Sequence, residues 1–191
     1  MERLQQLNHW LAVVLEKKSY GIEPASADAS FRRYFRVTVE GETLIAMDAP
    51  PPQEDCTPFV HAAEVFGAAG LNVPKIIAQD IPNGFLLLSD LGNTTFLSAL
   101  QAPNGLEVAA DLYRDASNAL VKMQLASKPD VFPPYDETLL TREMQLFPDW
   151  YVSKHLKTTL TDAQQQVMNR TFAMLNANIL AQPKVYVHRD Y

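Results

Sequence analysis

The amino-acid sequence predicts an α+β fold, with a small antiparallel sheet first and helices after it. Four short segments before residue 90 alternate apolar and polar side chains or are short apolar runs, as strands do, whereas apolar residues recur every three to four positions after residue 94. The change of pattern divides the chain into two predicted domains, residues 1–90 and 91–191. With 191 residues, of which 47% are hydrophobic, the chain is long enough for a sizeable core.

In the first domain, helices and strand pairs are predicted to follow one another. Glu40 and Gly41 form a turn signal between two alternating segments, which is typical of a hairpin. Thr57 can cap the helix after the hairpin, Pro58 suits its first turn, and Gly70 is a suitable stop. The predicted elements are a helix over 2–17, a breaker segment over 20–27, strands over 31–39 and 43–48, a helix over 57–70, and strands over 75–80 and 85–89.

The second domain is predicted to be mainly helical. Pro133 and Pro134 interrupt the helical pattern, and Thr161 with Gln164 gives the capping-box signature of a long helix, which Pro183 ends. The predicted elements are helices over 106–127, 137–147, 148–157 and 161–180, followed by a short strand over 184–187.

Composition excludes several classes of protein. The chain has 16 basic and 22 acidic residues. This acidic balance argues against a nucleic-acid partner, because a surface that binds nucleic acid needs positive charge to contact the phosphates. The single cysteine, Cys56, excludes an internal disulfide framework, and His9, His61 and His155 lack metal-ligand spacing. No apolar run reaches the roughly 20 residues that cross a bilayer, and the N-terminus lacks a secretion signal. We therefore expect a soluble cytoplasmic protein with no membrane partner.

The last residues carry the sharpest functional signal. A predicted strand runs into His188, Arg189 and Asp190, and a strand followed by His-Arg-Asp opens the catalytic loop of kinases. Kinase chemistry needs an exposed, fixed carboxylate there, which orients or accepts the proton of an attacking hydroxyl. Asp190 is therefore the candidate catalytic residue, and His188 would pack beneath the loop and hold its backbone. The alternative is an ordinary surface turn after a buried strand.

The order of the elements strengthens this interpretation, since kinase-like folds have a small antiparallel sheet with one helix, a short hinge and a helical lobe. Residues 26–36 (SADASFRRYFR) and 47–51 (MDAPP) carry a closer likeness. The sequence resembles the aminoglycoside phosphotransferase and choline kinase family, and within it the bacterial branch that phosphorylates cell-wall amino sugars. The resemblance implies a protein-kinase-like two-lobed fold, ATP and Mg²⁺ as cofactors, and a small-molecule sugar or amino-alcohol acceptor. The narrowest expectation is the anomeric hydroxyl of an N-acetylated amino sugar.

The resemblance also implies nucleotide contacts in three stretches of the first domain. Residues 26–33 match the turn that covers the phosphates, and residues 89–91 match the hinge whose backbone pairs with adenine. Met47 stands where the family has a phosphate-gripping lysine, and Glu64 is the candidate for the glutamate that partners that lysine. The implied nucleotide-binding residues are Ser30, Arg32, Arg33, Met47, Glu64, Ser89, Asp90 and Leu91.

Three arginines near the start of the first predicted hairpin bear on the missing lysine. Arg32, Arg33 and Arg36 place three positive charges within five residues, and either one of them replaces the lysine in gripping phosphate or nucleotide binding is weakened. The alternation of a strand puts Arg32 and Arg36 on one face and Arg33 on the other, so only one set can face ATP. The alternative is a solvated strand face with salt bridges.

Residues 136–151 match the segment in which this family builds its acceptor pocket. A sugar site needs polar side chains for the hydroxyls and an aromatic surface for the ring. The implied substrate-binding residues are Arg142, Glu143, Asp149 and Trp150. The alternative is a pair of helices with solvated charges and with Trp150 in the core.

The printed chain stops at Tyr191, one residue after Asp190. In the family, the catalytic loop continues to an asparagine, and a later aspartate binds magnesium, so we expect an incomplete helical lobe and an inactive fragment of a longer kinase. Two other functions stay open. One is a kinase of the same family for an aminoglycoside, choline or homoserine. The other is a nucleotide-binding pseudokinase, which the absent lysine at Met47 suggests.

Overall fold

Five strands before residue 90 pair into one antiparallel sheet. The computed structural model describes residues 2–16, 19–27 and 31–191 of the chain. Its elements are α1 (Glu2–Val14), β1 (Gly21–Ala27), β2 (Arg33–Val39), β3 (Glu42–Asp48), α2 (Thr57–Ala68), β4 (Ile76–Asp80), β5 (Phe85–Ser89), α3 (Phe96–Gln101), α4 (Gly105–Leu125), α5 (Glu137–Leu146), a π-helix (Phe147–His155) and α6 (Asp162–Leu180). The strand order in the sheet is β1-β2-β3-β5-β4. The predicted α+β class is therefore confirmed.

The chain divides into two compact units, Met1–Lys122 and Met123–Tyr191. The sheet belongs to the first unit, and α5, the π-helix and α6 belong to the second. The division falls within α4, so the domain boundary near residue 90 stays a prediction. None of the helices in the described residues has both the length and the apolar character needed to cross a membrane.

The predicted hairpin is present, and β1, a strand that the sequence pattern did not predict, pairs beside it. Glu40 and Gly41 both have positive φ, 51° and 86°, as the tight turn of a hairpin requires. The breaker segment predicted over 20–27 is wrong, because Gly21–Ala27 forms β1 and pairs antiparallel with β2. Its pairing shifts between Pro24 and Ser26. β1 is an edge strand, where proline and an irregular register are tolerated, and both features erase the alternation that reveals a strand.

Each face of the sheet is covered by one helix. On one face, α1 packs through Leu7 and Leu11 against alternate residues of the strands. On the other face, α2 packs through Phe59 and Val60. The interior strand β5 is buried on both faces, which explains its run of apolar residues, Phe85–Leu88. The two buried clusters are Leu7, Leu11, Val37, Ala46, Phe85 and Leu87 on the α1 face, and Met47, Ala49, Cys56, Leu86 and Leu88 on the α2 face.

The start of α2 differs from the prediction by one residue. Cys56 occupies the N-cap position, and Thr57, predicted to be the cap, is the first helical residue. The Asp55 carboxylate accepts the Thr57 backbone N–H at 2.8 Å. Asp55 therefore supplies a side-chain hydrogen bond at the start of the helix. The predicted stop at Gly70 is consistent with its φ of 75°, a conformation that glycine adopts without strain.

The second unit contains the predicted helices but not the predicted strand. Thr161 and Gln164 form the expected capping box of α6, whereas residues 148–157 belong largely to a π-helix instead of an α-helix. The strand over 184–187 is wrong, since the described residues give that segment no strand partner. Tyr186 alone is buried there: its N–H donates to Ser127 Oγ at 2.8 Å and its ring meets Phe132 edge-on. One anchored side chain therefore holds an extended segment without a ladder. The short helix α3 was not predicted.

Candidate active site

Arg33 is held by a buried carboxylate on the α1 face of the sheet. It lies opposite Asp48 in the β2–β3 register, and its Nε donates to Asp48 Oδ2 at 3.1 Å. Arg3 of α1 donates to the other oxygen of the same carboxylate at 2.8 Å. Asp48 is fully buried, so both arginines serve to neutralise a charge that burial would otherwise penalise.

Arg32 is paired with a different carboxylate. Its Nε donates to Glu54 Oε2 at 3.2 Å, and the other oxygen of Glu54 accepts the Phe31 N–H at 3.1 Å. Arg32 and Arg33 therefore have separate acidic partners, which is the salt-bridged arrangement named above as the alternative to phosphate contact. Ser30, also predicted to contact the nucleotide, lies outside the described residues.

Met47 lies in the core at the position where the resemblance expected a ligand. It is fully buried beside Cys56 and Leu86 in the α2-face cluster, so its side chain offers no surface to a nucleotide. Glu64 lies on α2 and is exposed, and the described residues give it no ion pair. The lysine–glutamate arrangement of the family is thus replaced here by an apolar contact and a solvated carboxylate.

The predicted hinge residues, Ser89, Asp90 and Leu91, differ in whether their polar groups already have hydrogen-bond partners. The Ser89 N–H donates to Lys75 O, and Ser89 Oγ accepts the Lys75 N–H, both at 2.9 Å. Asp90 accepts Arg36 Nε at 2.7 Å and the Gly92 N–H at 2.9 Å. The side-chain hydrogen bond from Arg36 is the main reason that the pKa of Asp90 is lowered to about 2. Leu91 is 56% exposed, and within the described residues no hydrogen bond joins its backbone.

In the second unit, local contacts hold the loop around Asp190. The Asp190 backbone N–H donates to His188 Nδ1 at 3.3 Å, but the His188 side chain is exposed, so the prediction that it packs beneath the loop is wrong for this structure. Arg189 has a φ of 75°, and its Nη2 donates to Glu143 Oε1 at 2.7 Å. The Asp190 side chain itself is exposed. The contacts near the Asp190 carboxylate are therefore one backbone hydrogen bond to His188 and the ion pair of the neighbouring Arg189 with Glu143.

Of the predicted acceptor residues, Glu143 is the one tied directly to this loop. Arg142 lies 3.8 Å from the same carboxylate at a surface-exposed position, and Asp149 accepts a hydrogen bond from Gln145 at 3.3 Å. Trp150 is 65% exposed, so the alternative that places it in the core is wrong for this structure. It lies on the π-helix, a geometry found often at functional sites.

Some notable contacts were not anticipated from the sequence. On the π-helix, Phe147, Tyr151 and His155 stack in a row, with successive ring centroids 5.5 Å apart. Their spacing of four was a signal that could have revealed the row. The ion pairs of Arg3 with Asp48 and of Arg36 with Asp90 link residues 45 and 54 positions apart, and no local pattern predicts such distant pairs. In the described ranges, no three histidine, cysteine, aspartate or glutamate side chains meet to form a metal site.

Comparison with known proteins places the chain among phosphotransferases. Residues 21–191 match the family model described as "Phosphotransferase enzyme family". The chain is 47% identical over 199 aligned positions to the N-acetylmuramate/N-acetylglucosamine kinase of Pseudomonas aeruginosa, and 46% identical to that of Pseudomonas putida. It is 41% identical over 192 positions to the protein of the same name from Neisseria meningitidis.

The alignments cover almost all of this chain but only part of each relative. The alignments cover 99% of this chain for the two Pseudomonas proteins and 100% for the Neisseria protein. They cover 58%, 58% and 57% of those relatives, so the chain spans somewhat more than half their length. Because the family model matches nearly the whole chain from β1 onward, the chain belongs to the phosphotransferase enzyme family.

Proposed function

We propose that the full-length protein transfers the γ-phosphoryl group of ATP to the anomeric hydroxyl of an N-acetylated amino sugar. The observation that carries the proposal is Asp190 of the His-Arg-Asp motif, whose backbone N–H donates to His188 and whose neighbour Arg189 is paired with Glu143. The names of the relatives, at 41% to 47% identity, support the choice of acceptor.

Asp190 would act on the acceptor hydroxyl. Its carboxylate would orient the hydroxyl and take the proton as the oxygen attacks the γ-phosphorus. The new bond joins that oxygen to phosphorus, the bond from phosphorus to the β,γ-bridging oxygen breaks, and ADP leaves. A carboxylate suits this role only if it is both reachable and held in place, and the hydrogen bond from the Asp190 N–H to His188 supports the second condition for its backbone.

The residues of the first unit fit the nucleobase better than they fit the phosphates. Leu91 is exposed and its backbone makes no hydrogen bond within the described residues, so it could pair with an adenine edge, whereas Arg32 and Arg33 already have carboxylate partners. An arginine that leaves its carboxylate for phosphate would supply the missing positive charge. Mg²⁺ would neutralise charge on the transferred group. We assign it no ligands, since the described residues contain no cluster suited to hold it.

For the acceptor, the π-helix offers the types of side chain that a sugar needs. The exposed ring of Trp150 would face the apolar side of the sugar, and Asp149 with Arg142 would meet hydroxyl or acetamido groups. Both signs of charge are present among these residues. An uncharged or singly charged acceptor therefore suits them better than a polycationic aminoglycoside, which would demand a strongly anionic pocket.

An acceptor panel with detection of ADP release tests the proposal on the full-length protein. N-acetylmuramate and N-acetylglucosamine should be phosphorylated, and the methyl glycoside of N-acetylglucosamine, whose anomeric oxygen is blocked, should not. Phosphorus NMR of the product should show an acid-labile anomeric phosphate. Turnover of the methyl glycoside, or a preference for an aminoglycoside, choline or homoserine, would contradict the proposed acceptor.

A second candidate is a pseudokinase that binds nucleotide without turnover. The burial of Met47 in the α2-face cluster favours it, because that strand position lacks a side chain able to grip phosphate. Binding of ATP to the full-length protein with no ADP release on any acceptor would support this candidate over the kinase.

A further inference from the structure

Arg36 and Asp90 form an ion pair that spans the sheet. Arg36 lies on β2, Asp90 follows β5, and β3 lies between those two strands. The Arg36 side chain is 20% exposed and that of Asp90 is 6% exposed. Arg36 donates through Nε to Asp90 Oδ2 at 2.7 Å and through Nη2 to Oδ1 at 3.2 Å. The guanidinium therefore meets both oxygens of the carboxylate, the geometry that gives arginine–carboxylate pairs their directional strength.

The same two residues also fix the backbone beyond Asp90. Asp90 Oδ1 accepts the Gly92 N–H at 2.9 Å, and Arg36 Nη2 reaches Gly92 O at 3.4 Å. Gly92 has a φ of 89°, a conformation that glycine tolerates. Leu91 is thus held on both sides by neighbours that the ion pair restrains, while its own side chain is exposed.

We propose that Arg36 and Asp90 are positioning residues that set the orientation of the Leu91 backbone toward the nucleobase, and so determine the preference for adenine over guanine. The inference rests on the proposed function, which assigns the base to this segment. Adenine and guanine present different donors and acceptors on the edge that a backbone reads. A backbone held in one orientation can match one of them only, whereas a mobile one matches both poorly.

The forked geometry makes the proposal distinct from simple stabilisation. Asp90→Asn keeps the shape of the side chain but removes its charge, and Arg36→Lys keeps the charge but cannot meet both oxygens. A role in stability alone would lower the melting temperature in both variants without changing the preference between bases. A role in positioning changes that preference in a protein that is still folded.

The test measures the Kd of the full-length protein for ATP, GTP and inorganic tripolyphosphate by calorimetry, with melting temperatures recorded alongside. We expect Asp90→Asn and Arg36→Lys to weaken ATP binding about tenfold and to move the GTP/ATP ratio of Kd values toward one. The Kd for tripolyphosphate, which has no base, should not change. The matched control is Arg114→Gln, which removes an exposed ion pair to Asp111 and should bind all three ligands as the wild type does.

The outcomes separate this inference from the function on which it rests. If the wild type binds no ATP, both are overturned. If the wild type binds ATP and both folded variants keep its GTP/ATP ratio, the positioning role alone is overturned. If both variants fail to fold, the pair is structural and the positioning role is likewise overturned.

Discussion

The Nε atom of Arg3 lies 2.8 Å from Oδ1 of Asp48, although 45 positions separate the two residues. The contact joins the first turn of α1 to the end of β3, and the Arg3 guanidinium also lies 4.3 Å above the ring of Phe85. Asp48 is fully buried, and its other oxygen is bonded to Arg33. One carboxylate thus connects a helix and two strands on the α1 face of the sheet.

Removal of this carboxylate should destabilise the protein. We expect Asp48→Ala to lower the free energy of unfolding by about 2–3 kcal/mol, because three charge-assisted hydrogen bonds from Arg3 and Arg33 are lost while both arginines can still reach water. Urea denaturation measures the change. The control is Asp111→Ala, which removes an exposed aspartate paired with Arg114 and should change stability by less than about 0.5 kcal/mol. Equal effects of the two variants would contradict the importance of the buried site.

Asp90 should make stability depend on pH in acid. Its pKa falls from 3.8 to about 2 in the folded protein, chiefly through the hydrogen bond from Arg36. The stabilisation is therefore complete above the unfolded pKa and is lost as the pH falls through about 2. The urea midpoint of the wild type should exceed that of Asp90→Asn by a constant amount near neutral pH, and the difference should shrink below about pH 4. A difference that does not change with pH would contradict this assignment.

Asp190→Asn tests the candidate catalytic residue. The variant should lower kcat by roughly 10²- to 10⁴-fold, as loss of a general base does. The KM for ATP should change little, because the carboxylate acts on the acceptor. Because asparagine has nearly the same size and shape as aspartate, the melting temperature should be unchanged. Steady-state kinetics on the full-length protein decide the matter, and turnover near the wild-type rate would remove Asp190 from the mechanism.

Glu143 should act through Arg189. The 2.7 Å contact between Glu143 Oε1 and Arg189 Nη2 holds the residue next to Asp190, so Glu143→Gln should lower kcat roughly tenfold to a hundredfold through misplacement of the loop. Arg189→Gln should have the same effect, and the double variant should be no worse than either single one. Additive losses in kcat would show that the two side chains act independently.

The capping box of α6 gives a prediction about stability alone. The Thr161 side chain accepts the Gln164 N–H at 3.4 Å, and the Gln164 side chain accepts the Thr161 N–H at 2.9 Å. Thr161→Ala should therefore cost about 1 kcal/mol of unfolding free energy. Thr159→Ala, an exposed threonine just before the helix, is the matched control and should be neutral. An equal loss in both variants would indicate a cause other than the cap.

The parts of the fold that the sequence revealed are those with a regular period or a local signature. The hairpin turn at Glu40 and Gly41 and the capping box at Thr161 both depend on a few neighbouring residues, so each was predicted correctly. β1 has neither property, because its proline and its register shift break the alternation. The segment around Tyr186 has alternation but no partner strand in the described residues, and partners are a property of the whole fold.

The candidate site divides in the same way. Asp190 and His188 were predicted from a contiguous motif, and the Asp190 N–H does donate to His188, but the His188 side chain is exposed instead of packed beneath the loop. The carboxylate partners of Arg32, Arg33 and Arg36 lie 15 to 54 positions away in sequence. The sequence therefore predicted salt bridges for these arginines but could not predict which acidic residues take part. The burial of Met47 likewise depends on how α2 packs on the sheet, which no local pattern reports.

The reactivity of Cys56 can report how often the contact between α2 and the sheet opens. It is the sole thiol of the chain and is 2% exposed where α2 begins, among side chains of the sheet. Burial also raises the pKa of the thiol, which slows its reaction with disulfide reagents further. Such a reagent can reach the sulfur only when the contact between α2 and the sheet opens. The labelling rate therefore measures how often that contact opens, and its slowing by a nucleotide would register binding without any engineered cysteine.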